Sequence, residues 1–266
     1  MFKEKFDLDL DFLKMKSPHL IGVDISSSSV KMVELSISNK GNQTYRIERY
    51  AIEPLPDDAM LEGGIVNLEV VSDCMQRGWK RMGTRQKNVA LALPVTDVIT
   101  KKIIVPAGQR EDDLIFQVEN EASQYIPFPL DEIDLDFQIV KPVLESVDEV
   151  EVLIAASRKE KVEDRVAAAL SAGLKAIVMD VESYAAQAAF ELTLSQLPEG
   201  GKNQVIALVD IGSTVMKINV FHNGEQVYTR DQPFGGNQLT QEISNQFNLS
   251  TEESETEKKN GKLPDS

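Results

Sequence analysis

The chain has 266 residues, 42% of them hydrophobic, and a formal net charge of −15. That is enough for one large domain or two modest ones with a sizeable core. No apolar run reaches membrane-spanning length, the N-terminal charges are not followed by the apolar stretch of a secretory signal, and the acidic balance argues against nucleic acid as a partner.

One cysteine, Cys74, cannot close an internal disulfide and fits a reducing compartment. Two histidines beside it leave little for a zinc site.

In chain order, residues 1–17 read as an arm whose "FDLDLDF" alternates with strand period. Residues 19–54 read as three consecutive strands, an antiparallel meander ended by Pro54 and Pro56. "LEVVSDCMQRGWKRMG" repeats apolar residues at helical spacing and stops at Gly83. "VALALP" and "VITKKIIVP" are strands, and "REDDLIFQVENEASQYI" is an acidic helix ended by Pro127. "IDLDFQIVKPV" and "VEVLIAASR" are again strands. "KEKVEDRVAAALSAGL" is a helix with Gly173 just past its end. A strand-to-helix passage follows in "AIVMDVESYAAQAAFELTLS". The Pro- and Gly-rich stretch 197–203 reads as a linker. After it come a hairpin, a third strand "EQVYTRDQPF", Gly235-Gly236 and the helix "NQLTQEISNQFN". The last stretch, "STEESETEKKNGKLPDS", has helical charge spacing and an N-cap at Ser250 or Thr251.

One pattern occurs twice. "LIGVDISSSSVKMVEL" and "VIALVDIGSTVMKINVF", aligned on Asp24 and Asp210, both read D-I-x-S-[ST]-x-x-K, with Lys31 and Lys217 at the same offset. Both sit in a strand-strand-strand-helix setting, which implies an internal duplication. A buried aspartate at a strand end costs free energy unless something pairs with it. A Gly/Ser/Thr turn offers converging N–H groups and hydroxyls for a phosphate, and the aspartate suits Mg²⁺ held through water. Two such hairpins facing each other would clamp a triphosphate, with Lys31 reaching a phosphate oxygen. For Lys217 a solvated strand lysine is the ordinary alternative. Gly235 and Gly236 could be a flexible lead into their helix or could aim helix N-terminal donors at a nucleotide. Glu255 and Lys258 lie three apart on one helix face, as a surface ion pair does. Gln187 could orient an attacking water, or be a common helical glutamine. No confident general base stands near the phosphates, so the catalytic residue is unassigned.

The paired hairpins resemble those of the superfamily of actins, sugar kinases and heat-shock chaperones. "QYIPFPLDEI", "VLIAASRKEKVED" and "PFGGNQLTQEISNQFNLS" narrow this: the chain resembles the type IV pilus assembly protein PilM family, FtsA-like relatives of actin, from about residue 18 onward. The resemblance implies an α/β, actin-like (ribonuclease H-like) duplicated fold. Residues 18–90 and 178–200 would form the first subdomain, 91–177 a small α+β insert, and 203–266 the start of an incomplete second half. It implies ATP with Mg²⁺ between the halves. Asp24, Ser27, Ser28 and Lys31 match the first phosphate motif, and Asp210, Gly212, Ser213 and Thr214 the second. Glu255 and Lys258 match a helix on the nucleoside side.

The resemblance also implies a partner: the N-terminal cytoplasmic peptide of PilN, gripped beside the insert. It implies a cytoplasmic platform or ring that touches the membrane only through such partners. Two departures follow. Ser26 stands where glycine is common, which would make a positive φ harder. Relatives continue past the equivalent of Ser266, so weak or no ATP binding and at most a weak ATPase are expected of this chain. A small-molecule kinase is the alternative, but no sugar-kinase motif lies between the hairpins. A cell-division actin-like filament protein is another, but the last residues lack the apolar helix face that a membrane tether needs.

Overall fold

A computed structural model describes residues 19–39, 44–143, 146 and 148–261. The expected arm at 1–17 lies outside these residues. The chain forms two compact units, one of residues 1–92 with 163–179, the other of 93–162 with 180–266.

In the first unit, β1 (Ile21–Ile25), β2 (Ser29–Asn39) and β3 (Thr44–Pro54) form the expected antiparallel meander. Next comes a small hairpin, β4 (Met60–Leu61) with β5 (Gly64–Ile65), then α1 (Leu68–Met82) and β6 (Asn88–Leu93). β6 runs parallel to β1. Alternation in β1 sends Ile21, Val23 and Ile25 into the core. α1 lies against this sheet. Asn67 caps it by accepting from the Val70 N–H at 3.2 Å, and Gly83 ends it in the left-handed region at φ 63. The helix approaches closely at Gly78, where a Cβ would lie 2.9 Å from Met32 Sδ. Val71, Cys74 and Met75 fill the interface with Val30, Met32 and Ala51. Glu53, whose side chain is 4% exposed, is buried beneath α1 and paired with Arg77 and Arg81 at 3.4 and 3.1 Å. Burying a carboxylate costs free energy that such partners offset.

In the second unit, β7 (Val98–Pro106), β8 (Ile133–Pro142) and β9 (Glu149–Arg158) form an antiparallel sheet in the order β7-β9-β8. α2 (Glu111–Tyr125) covers one face of it, burying Leu114 and Val118 against Ile103, Val105, Val152 and Ile154. α3 (Lys159–Ser171) follows, and its last turns bury Ala168 and Ala169 in the core of the first unit. β10 (Lys175–Val181) joins the first sheet, whose order is β10-β6-β1-β2-β3.

α4 (Glu182–Glu191) then leads to β11 (Val205–Ile211), β12 (Met216–His222) and β13 (Glu225–Gln232), a second antiparallel meander. Phe221 of β12, 1% exposed, stacks on Phe190 of α4 with centroids 5.0 Å apart. α5 (Gly236–Phe247) and α6 (Thr251–Asn260) complete the unit, and Ser250 caps α6 with Glu253 in a reciprocal box. The stretch expected to be a linker, 197–203, is instead folded into a short turn. Gly201 is buried there, with Ile206 and Leu194 each 3.2 Å from where a Cβ would sit.

Candidate functional site

Both repeated hairpins form, with the same turn bond. The Ser26 N–H donates to Ser29 O at 3.0 Å and the Gly212 N–H to Val215 O at 3.0 Å. The offsets from Asp24 and Asp210 are therefore identical, as the duplicated pattern requires. Two expectations change. Neither aspartate is buried; both are exposed at their strand ends. An exposed carboxylate keeps its hydration, so the desolvation cost inferred from the strand pattern does not arise. The turn at Ser26 uses no positive φ, so serine fits there without strain and adds a 2.9 Å bond from its hydroxyl to Ser29 O. Glycine is needed at 212 for another reason: a Cβ would lie 2.8 Å from Val215 O.

The two lysines differ in role. Lys31 sits opposite Asp24 in the ladder. It donates to Asp24 Oδ2 at 2.8 Å and to Ser26 Oγ at 3.2 Å, so its ammonium lies over the first turn. Lys217 sits opposite both Asp210 and Asp231 but forms an ion pair with Glu182 at the start of α4. Burial pushes the Asp231 carboxyl up from its ordinary range, and Lys217 partly offsets this. Ser28 ties the first turn to the end of its own meander, its carbonyl accepting from the Leu55 N–H at 2.9 Å.

The second turn is tied more tightly. The Gly236 N–H donates to Gly212 O at 2.9 Å, and the Asn237 N–H to Ser213 O at 2.8 Å. The start of α5 is thus fixed to the hairpin, and Gly235-Gly236 is not a flexible lead. Gly235 makes the contact possible, because a Cβ there would meet Ser213 O at 2.5 Å and Gly212 O at 2.6 Å. Gln238 reaches back to accept from the Gly235 N–H at 2.7 Å.

Lys258 of α6 closes the group. Its ammonium donates to Gly236 O at 3.1 Å and to Thr240 Oγ1 at 2.8 Å, and it pairs with Glu255 at 2.5 Å. Lys258 and the Thr240 hydroxyl, overcoming a smaller opposing effect of burial, hold the Glu255 carboxyl well below the usual 4.5, at about 2. The structure therefore joins Gly212, Ser213, Gly235, Gly236, Glu255 and Lys258 in one hydrogen-bonded cluster, next to Asp210 and Thr214. Thr240, buried at its centre, was missed. Its only sequence signal is its position four residues after Gly236, one turn into α5.

Gln187 stands elsewhere. Its amide donates to Gly224 O at 3.1 Å and to Glu191 at 3.2 Å. Gly224 lies in the β12–β13 turn, at the opposite end of β12 from the 212–215 hairpin. A water-orienting role at that hairpin is excluded by a strand's length. Among the described residues no group of three or more His, Cys, Asp or Glu forms a metal cage. A magnesium ion that keeps most of its waters needs only one or two carboxylates, and the donor set of an exposed aspartate beside a hydroxyl-rich turn fits it.

A groove of about 640 Å³ lies in the second unit. Thr100, Lys102, Gln138, Val140 and Leu153 of the β7-β9-β8 sheet line one side, and Tyr184, Gln187 and Ala188 of α4 with residues 225–229 the other. Its lining mixes apolar side chains with charged ones such as Lys102 and Glu225, a mixture suited to an extended segment.

The antiparallel meander β1–β3 is prolonged by the parallel strand β6, with an aspartate and a hydroxyl-rich turn after the first strand, the arrangement that the resemblance to actin relatives implies. A family model described as type IV pilus assembly protein PilM matches residues 22–266. The chain belongs to that family. It is similar to a chain of the solved PilM-PilN type IV pilus biogenesis complex, with 27% identity and a TM-score of 0.74, covering 91% of this chain and 69% of that one. It is 24% identical over 259 residues to the cell division protein FtsA of Bacillus subtilis, covering 90% of this chain and 57% of FtsA. The chain thus spans little more than half the length of that curated relative. Ethanolamine utilization protein EutJ from Carboxydothermus hydrogenoformans shares the fold at 17% identity and a TM-score of 0.52, covering 92% of this chain and 62% of that one.

Proposed function

We propose that this chain is an ATP-binding assembly protein of the type IV pilus inner-membrane platform, which grips the N-terminal cytoplasmic peptide of a PilN-type partner. Its place is cytoplasmic, and its contact with the membrane runs through that partner. The observation that carries the reading is the likeness to a chain of the PilM-PilN complex over 91% of this sequence, together with a groove able to take an extended segment.

In this reading β1–β3 with α1, and β11–β13 with α5, are duplicated halves of ribonuclease H type, and residues 91–177 are an inserted subdomain. The groove takes the peptide: Leu153 and Val140 bury its apolar side chains, and Tyr184 packs on its backbone. The hairpins take the phosphates, Asp24 with Ser27, Ser28 and Lys31 in one and Asp210 with Gly212, Ser213 and Thr214 in the other. Asp24 and Asp210 are the residues that would hold a hydrated Mg²⁺, which would supply charge neutralisation for the phosphates. Glu255 and Lys258 steady the nucleoside side. The role is assembly, with ATP as a ligand that sets the grip.

Titrating a fluorescent synthetic peptide of the partner's N-terminus tests this by anisotropy. Saturable binding that Ala188→Trp abolishes, by filling the groove without removing a contact, supports the reading. Absence of binding, or binding indifferent to Ala188→Trp, refutes it.

A further inference from the structure

The β12–β13 turn leads into the groove, whose lining begins at Glu225, and three bonds fix it. Its two central residues, Asn223 and Gly224, have positive φ of 54 and 81, the tight turn that suits a two-residue hairpin. Asn223 Oδ1 accepts from the Asn203 N–H at 2.8 Å. Gly224 O accepts from Gln187 at 3.1 Å. Glu225 accepts from Lys141 Nζ at 2.7 Å. The first two bonds stay on the turn's own side of the groove, with α4 and the chain leading into β11. The third crosses it, because Lys141 belongs to β8, on the opposite side.

We infer that the Lys141–Glu225 ion pair is a latch across the mouth of the peptide groove, which must open before an extended segment can be seated. The inference rests on the groove being the peptide site. Three features support it. Both side chains are substantially exposed, at 40% and 65%, so water can replace each partner and opening is cheap. Each group holds the other's charge: the pair keeps the Lys141 ammonium above and the Glu225 carboxylate below its ordinary range. Among the described residues β8 is an edge strand of its sheet, the kind of place where a strand can be added. An exposed pair of this kind is too weak to serve stability. Its position, joining the two rims of one groove, gives it a gating use.

Stopped-flow mixing with the fluorescent partner peptide reads the latch directly. Glu225→Ala and Lys141→Ala should each speed association about two- to five-fold, the range an exposed pair can supply. Combining them should add nothing, and the exchange of Lys141→Glu with Glu225→Lys should restore the slower rate. Added salt should speed the native chain and not the single variants. Thermal melts check that each variant is folded. Unchanged or slower association in the single variants, with the native chain still binding, overturns the latch and leaves the peptide site standing. Failure of the native chain to bind overturns the peptide site and the latch with it.

Discussion

The two neighbouring glycines that open α5 should respond in opposite ways to the same substitution. In Gly235→Ala the new methyl would lie 2.5 Å from Ser213 O and 2.6 Å from Gly212 O, both backbone atoms of the hairpin. They cannot swing aside as a side chain could. Either the clash is absorbed as strain, about 1–3 kcal/mol, or α5 shifts and gives up its two bonds to the hairpin carbonyls, about 1 kcal/mol each. These are alternatives, so the loss should be about 1–3 kcal/mol, or roughly 2–12 °C in the melting of this unit. In Gly236→Ala the nearest atom is Lys258 Nζ at 3.3 Å, the end of a flexible chain. That change should stay within about 0.5 kcal/mol, since alanine is also the better helix former. Thermal unfolding followed by circular dichroism, backed by hydrogen exchange at the 212–215 turn, reads both. Equal stability of the two variants, in either direction, would refute the docking of α5 on the second hairpin.

Other expectations follow from the same geometry. Glu255→Gln should cost about 1 kcal/mol at pH 7, a value discounted because the side chain is 36% exposed. The folded carboxyl titrates at about 2 against an ordinary 4.5. Its contribution is thus complete above pH 4.5 and fades as pH falls toward 2; the gap in urea midpoints between native and variant should shrink from pH 7 to pH 3. Phe221→Ala should cost about 3–5 kcal/mol by emptying the contact with Phe190, measured by urea unfolding. Asp210→Asn should remove the weak Mg-ATP binding expected of the native chain, measured by calorimetry, because it removes the charge that holds the hydrated ion.

Long elements were legible because their patterns repeat often enough to count. Apolar runs such as "VALALP", "VITKKIIVP" and "VEVLIAASR" read as strands, and the apolar stripe from Val70 to Met82 read as α1. The β4–β5 hairpin was not seen: two-residue strands have no period, so the turn at Glu62 (φ 49) and Gly63 (φ 81) had no strand pattern on either side of its glycine signal. Gly and Pro at 197–203 announced a loop, but composition cannot report that Gly201 packs on Leu194 and Ile206. In the site, the offset from aspartate to lysine was readable and correct in register. What each lysine binds was not, because Lys217 finds Glu182 at 35 residues' distance and Lys31 finds Asp24 on the adjacent strand. Exposure of the two aspartates depends on what covers a sheet end, which no local pattern encodes. Glu255 and Lys258 do form the ion pair their spacing suggested, but Thr240 and the Gly236 carbonyl draw it inward from another helix.

The account stands or falls on where the partner peptide lies. A photo-crosslinking amino acid placed at Ala188 should capture the peptide, and the same group at Ile47, on the exposed face of β3, should capture none. Capture at position 47 in place of position 188 would contradict the account.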